Sequence, residues 1–222
     1  MIIGINCGHS VNGQAGSGAV GFLNESNETR AIGRTLIKRL KELGHTVIDC
    51  TNDKAESVND NLKKIVALAN AQRLDLFVSI HLNAGKGQGC ECYTYAGEKH
   101  IEAVNICEKV SSLGFKNRGV KDGSALYVLR KTNAKAVLVE VCFVDNRDDA
   151  SLYKKLGADK IASAIGEAIG GKAQPWYAEA QKWAVDNGIS DGTRPHDTTT
   201  RAEVWAMLQR LQRGDKYESS KS

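Results

Sequence analysis

Apolar positions recur along this chain in two alternating rhythms. Short strand-like runs, rich in apolar residues, fall near residues 2–6, 45–50, 75–82, 89–96, 124–131 and 135–143. Bounded by Gly or polar residues, such runs predict buried strands. Between them, apolar residues spaced three and four apart predict amphipathic helices near 25–43, 54–72, 99–113 and 152–169. Ile32, Leu36, Leu40 and Leu43 form the stripe of the first helix. Strands alternating with helices predict an α/β fold, with a twisted, mostly parallel sheet flanked by helices on both faces. In such a sheet, reactive groups gather at the carboxyl ends of the strands.

The pattern changes after Gly170-Gly171. Gly170-Gly171-Lys172-Ala173-Gln174 reads as a linker, dividing a domain over 1–171 from a small helical module over 172–222. All three Trp (Trp176, Trp183, Trp205) and both Pro (Pro175, Pro195) lie beyond it. The module reads as helix, loop, helix, with Thr199 or Thr200 placed to cap the second helix. Residues 214–222 are polar and are expected to fray. So small a hairpin can hardly bury a core alone. It is therefore expected to pack on the larger domain or to assemble with copies of itself, a route to homo-oligomers.

Composition narrows the classes. The 222 residues are 41% hydrophobic and 25% charged, which is ordinary globular material. A net charge of +4, from 30 basic and 26 acidic residues, is too mild to imply nucleic acid. No apolar run approaches the roughly 20 residues needed to span a bilayer, so membrane insertion is not expected. Met1 to Asn6 show neither the basic segment nor the cleavage pattern of a signal peptide. The expectation is synthesis in the cytoplasm without one. The six cysteines include no C-x-x-C pair. Cys90 and Cys92, two apart, share one strand face and read as packing residues with free thiols.

Candidate chemistry sits at the ends of strands. His9, in Cys7-Gly8-His9-Ser10, and His81, in Ser79-Ile80-His81-Leu82-Asn83, each follow an apolar run beside small or polar neighbours. Two histidines delivered to one sheet edge suggest metal ligands, and a hydrolytic site needs a third N or O ligand and a proton-transfer group. Glu25, at the start of the first helix, fits the ligand role, with Glu28 three residues on as a competitor. Glu140 lies inside the apolar run Ala136–Val144. A charge there is costly to bury unless it is paired or tied to a metal. Asn83 reads equally as a contact to substrate or as a polar strand end. Arg118 to Ser124 read as an exposed loop preceding a strand, placed for recognition.

Together these motifs resemble, in order along residues 1–170, the zinc-dependent N-acetylmuramoyl-L-alanine amidases of bacterial autolysins and phage endolysins. The matching residues are Gly8-His9, Asn24-Glu25, Ser79 to Ala84, and Val139-Glu140 before Phe143-Val144-Asp145-Asn146. The form of the second motif and the loop from Val11 to Gly21 resemble clostridial phage lysins more than secreted autolysins. Asn6-Cys7-Gly8-His9-Ser10 stands where many members carry Asp-Pro-Gly-His-Gly-Gly. The resemblance implies that His9, Glu25 and His81 bind Zn2+ and that Glu140 is the catalytic acid/base. The implied substrate is peptidoglycan, cleaved between N-acetylmuramic acid and L-alanine in the cell wall after the enzyme's release. Residues 176–212 resemble one S-layer homology repeat, through Trp183 to Ile189, Gly192, Pro195 and Thr200-Arg201-Ala202-Glu203. That likeness implies binding of secondary cell-wall polymer, with Trp183 and Arg201 as contacts. Two rivals remain: a cell-wall cysteine peptidase using Cys7 or Cys142, and a non-catalytic wall-binding protein.

Overall fold

The computed structural model describes residues 1–170, 178–193 and 197–213. Its strands are β1 (Ile2–Cys7), β2 (Thr46–Asp49), β3 (Leu76–Asn83), β4 (Cys90–Thr94), β5 (Asn117–Asp122) and β6 (Lys135–Phe143). They form one sheet in the order β2-β1-β3-β6-β4-β5. All pairings are parallel except β4 with β6. The helices are α1 (Glu25–Glu42), α2 (Val58–Asn70), α3 (Ile101–Ser111), α4 (Tyr127–Lys131), α5 (Arg147–Gly170), α6 (Ala178–Asp186) and α7 (Arg201–Arg213).

Strand side chains alternate between two cores because neighbours on a strand point to opposite faces. Val137, Val139 and Val141 of β6 join Ile32 and Leu36 of α1 and Ile161 and Ile165 of α5. Ala136 and Leu138 join Ile65 and Val66 of α2 and Val128 and Leu129 of α4. Ile32, Leu36 and Leu40 are wholly buried, each side chain contributing about 1.5–3 kcal/mol of apolar burial. Both faces are thus covered, as the alternating pattern predicts. Asn24 caps α1 by accepting the Asn27 N–H at 3.1 Å, which makes Glu25 the first helical residue.

Three sequence expectations need correction. The run at 124–131 is not a strand: the structure has helix α4 there, over Tyr127–Lys131. Val128 and Leu129 are adjacent and both buried against the α2 side, which a strand's alternation forbids. Arg118 to Asp122 are not a loop but most of β5, the sheet's edge strand. An edge strand carries charge and little apolar alternation, so it escapes a search for apolar runs. The helix expected from 152 begins at Arg147, with its backbone broken at Gly157, where φ is 75°.

The chain divides into two compact units, Met1–Ala173 and Gln174–Ser222. In the second, Thr200 Oγ1 accepts the Glu203 N–H at 3.2 Å, and Glu203 Oε2 accepts the Thr200 N–H at 2.7 Å. This reciprocal capping box starts α7. Arg210 donates to the Ile189 carbonyl at 3.2 Å, tying the helix to the loop before it. The expected linker beyond Gly170, together with Trp176, Pro175, Pro195 and the tail 214–222, lies outside the described residues.

Candidate active site and metal centre

The carboxyl ends of β1 and β3 and the first turn of α1 converge on three side chains. His9 follows β1 in a left-handed backbone, φ 64°, which is uncommon for a non-glycine residue. Arg30 holds this turn. It is 7% exposed, and its guanidinium donates to the carbonyls of Gly8 at 3.2 Å and His9 at 2.9 Å. Its Nε donates to Asp53 at 2.9 Å. Gly8 is required by space, since a Cβ there would lie 2.4 Å from the His81 ring. At Gly18 a Cβ would meet Glu25 Oε2 at 2.7 Å.

Glu25 is the hub. Its Oε1 lies 3.1 Å from His9 Nε2 and 3.0 Å from His81 Nδ1. The backbone N–H of Leu82 donates to the same oxygen at 3.1 Å, and that of Ala19 donates to Oε2 at 2.9 Å. The potential ligand atoms of His9, Glu25 and His81 lie within 4.8 Å of one another. His9 Nδ1 sits 3.2 Å from the Gly16 carbonyl. A proton on Nδ1 serves that carbonyl, so Nε2, which meets Glu25 in the metal-free protein, is the nitrogen left to offer a lone pair to a metal, the arrangement typical of metal-binding histidines. Three N/O donors with one orienting hydrogen bond fit a divalent metal of the zinc type.

Electrostatics follow from burial and pairing. Burial pushes the Glu25 carboxyl up, but bonds from His81 and His9 outweigh it and hold the group well below the usual range. Burial lowers His9, and Glu25 reverses that to a net rise. His81 stays lowered, chiefly by burial.

Glu140 lies on β6 between His81 of β3 and Glu91 of β4, paired in register with both. Its Oε2 is buried and has no hydrogen-bond partner. Burial first, then the negative charges of Glu25 and Glu91, raise it to about 8. The folded state therefore keeps a proton that the unfolded chain loses near the ordinary carboxylate range. In the metal-free protein the stabilising effect is full below about pH 4.5 and is lost as pH rises to about 8. Each tenfold difference in proton affinity between the folded and unfolded chain is worth at most about 1.4 kcal/mol. Denaturation midpoints measured against pH under chelation should show this decline, and Glu140→Gln should remove it.

The remaining candidates fall elsewhere. Glu28 accepts the Tyr153 hydroxyl at 2.8 Å and takes no part in the His9–His81 cluster. Asn83 ends β3 and donates to Glu91 at 2.8 Å. Trp183 is half exposed on α6, and Arg201 opens α7 on the surface. Cys7 and Cys142 are buried, and burial raises both thiols, opposite to what a thiolate nucleophile requires. Cys90 and Cys92 are free and buried, as packing residues would be.

Sequence reasoning passed over Arg30 and Glu91. Arg30 was signalled only by the small and polar stripe Ser26, Thr29 and Gly33 that lets α1 approach the sheet. A cleft of about 300 Å³ opens beside the histidines, with Asn6, Leu62, Leu126 and Tyr127 in its walls.

A family model described as N-acetylmuramoyl-L-alanine amidase matches residues 3–170. An uncharacterised protein of Clostridium perfringens is 39% identical over 180 residues, covering 78% of this chain and 52% of that protein. The chain therefore spans about half the length of that relative. The N-acetylmuramoyl-L-alanine amidase LytC of Bacillus subtilis is 32% identical over 172 residues, 72% of this chain and 33% of LytC. Among solved structures, the catalytic domain of the CD27L endolysin, which targets Clostridia difficile, superposes with a TM-score of 0.72 at 32% identity. That match covers 78% of this chain and 98% of the domain. The match over residues 3–170 takes in five strands whole, all of β1 but Ile2, and every residue of the His9–Glu25–His81 cluster, and the chain belongs to the N-acetylmuramoyl-L-alanine amidase family.

Proposed function

We propose that this chain is a zinc-dependent peptidoglycan amidase of the endolysin or autolysin type, cleaving the bond between N-acetylmuramic acid and L-alanine. The observation that carries the reading is the convergence of His9 Nε2, Glu25 Oε1 and His81 Nδ1 beside a buried, unpartnered Glu140 Oε2. His9, Glu25 and His81 would hold the zinc. When bound, zinc lowers the pKa of water and polarises the carbonyl to be cleaved. Glu140 Oε2 takes the proton of the attacking water and returns it to the departing amine of L-alanine. Arg30 bonds the carbonyls of the left-handed His9 turn, which sets His9 Nε2 beside Glu25.

The second unit is read as an S-layer-homology-like module that holds secondary cell-wall polymer through Trp183 and Arg201, and through which copies of the chain could assemble. Its support is sequence likeness, the capping box at Thr200 and the exposure of both side chains. In this reading the protein is made in the cytoplasm and acts on the wall after release.

Product analysis on purified peptidoglycan tests the assignment. The expected outcome is new N-terminal L-alanine with no new reducing sugar ends, abolished by a chelator and restored by zinc. New reducing ends, new internal peptide termini or chelator-resistant release would each refute it.

A further inference from the structure

A polar row crosses the sheet beside the metal cluster. His81 pairs with Glu140, and Glu140 pairs with Glu91. Glu91 in turn lies opposite the register shift in β5 that carries Arg118 and Gly119. Glu91 is only 1% exposed, yet it is fully satisfied. Asn83 Nδ2 and the Tyr93 hydroxyl each donate to its Oε1 at 2.8 Å. Arg118 Nε donates to its Oε2 at 2.5 Å, and Lys121 Nζ donates to the same oxygen.

One buried carboxylate thus anchors two cations, and a single cation would neutralise it. Both cations keep part of their surface open, with side chains 28% (Arg118) and 36% (Lys121) exposed. Arg118 spends only its Nε on Glu91. Its guanidinium also lies 5.1 Å over the Phe143 ring. Among the described residues, its two terminal nitrogens have no hydrogen-bond partner. A guanidinium fixed at one edge and open at the other is pre-organised to receive a second carboxylate.

We propose that Arg118, assisted by Lys121, forms a subsite for the free carboxylate of the stem-peptide residue that follows L-alanine; this rests on the amidase reading above. Adjacent strands lie about 4.8 Å apart, so a guanidinium bonded to Glu91 sits roughly one to two spacings from Glu140. An extended peptide advances about 3.3–3.6 Å per residue. A carboxylate on the second residue therefore lies about 7 Å from the scissile carbonyl, within that span.

The test uses two soluble muropeptides that differ only in whether this second residue carries a carboxylate or a carboxamide. The wild-type chain is expected to prefer the carboxylate by about 10- to 100-fold in kcat/KM, the range of a charge-assisted hydrogen bond. Arg118→Gln should bring the ratio close to one, chiefly through KM, and Arg118→Lys should keep part of it. Lys121→Met should reduce the ratio while Arg118 still compensates Glu91, so it tests the subsite even if Arg118→Gln fails to fold. Zinc content and melting temperature identify that failure. No wild-type preference, or equal losses on both substrates in the variants, would mean that the pair serves only to neutralise Glu91. If the wild-type chain released N-terminal alanine from neither substrate, the amidase reading itself would fall, a result distinct from release without preference.

Discussion

Glu140→Gln is expected to lower peptidoglycan hydrolysis by about 10²- to 10⁴-fold, the usual contribution of a general acid/base. Glutamine keeps the size and polarity of the side chain but cannot take the proton of the attacking water. Its position explains why the effect should be confined to catalysis. Glu140 stands next to His81 in register but is not one of the clustered ligand atoms, so bound zinc should remain at one per chain. Its unpartnered Oε2 binds no other protein group, and no structural hydrogen bond is lost. The folded protein should even lose the pH-dependent cost of holding Glu140 buried. Parallel measurement of hydrolysis rate and zinc stoichiometry checks this, and a rate within about tenfold of wild type would remove Glu140 from the mechanism.

Glu25→Gln is expected to weaken zinc binding by more than about 100-fold. Loss of a group that merely supports a metal ligand typically costs about 10- to 100-fold, and Glu25 is the anionic member of the cluster itself. The substitution also damages its surroundings. Both Glu25 oxygens accept backbone N–H groups, from Leu82 and Ala19. An amide must turn its own N–H₂ towards one of them, leaving two donors facing each other in a site that is 4% exposed. Competition titration with a calibrated chelator gives the affinity. Glu28→Gln is the control, since its carboxylate meets Tyr153 and not the histidines, and its zinc affinity should match wild type. Equal losses in the two variants would show that helix damage, not ligation, sets the effect.

The fold class was legible because a buried sheet leaves short apolar-rich runs in the chain, and five of the six sheet strands have them. The sixth, β5, was not. It lies at the edge, and its cations Arg118 and Lys121 are anchored by Glu91 of β4, a partner 27 residues from Arg118 in the chain. The same concealment applied to Arg30, whose bonds to Gly8, His9 and Asp53 run to residues 21 to 23 positions away. The short helix α4 was mistaken for a strand because so short an apolar run has too few positions to reveal its period.

Periodicity and motif order, both local properties, were enough to specify a mostly parallel α/β sheet with His9, His81 and Glu140 on or just beyond its strands and Glu25 at the head of α1. Convergence is a property of packing. The tight approach of Gly8 to His81, the choice of Glu25 over Glu28, the clamp of Arg30 on the His9 turn and the anchoring of Arg118 and Lys121 by Glu91 all depend on strand register and on groups far apart in the chain. Hydrogen bonds and charge pairs act over a few ångströms of space, and only the folded chain brings these groups within that range.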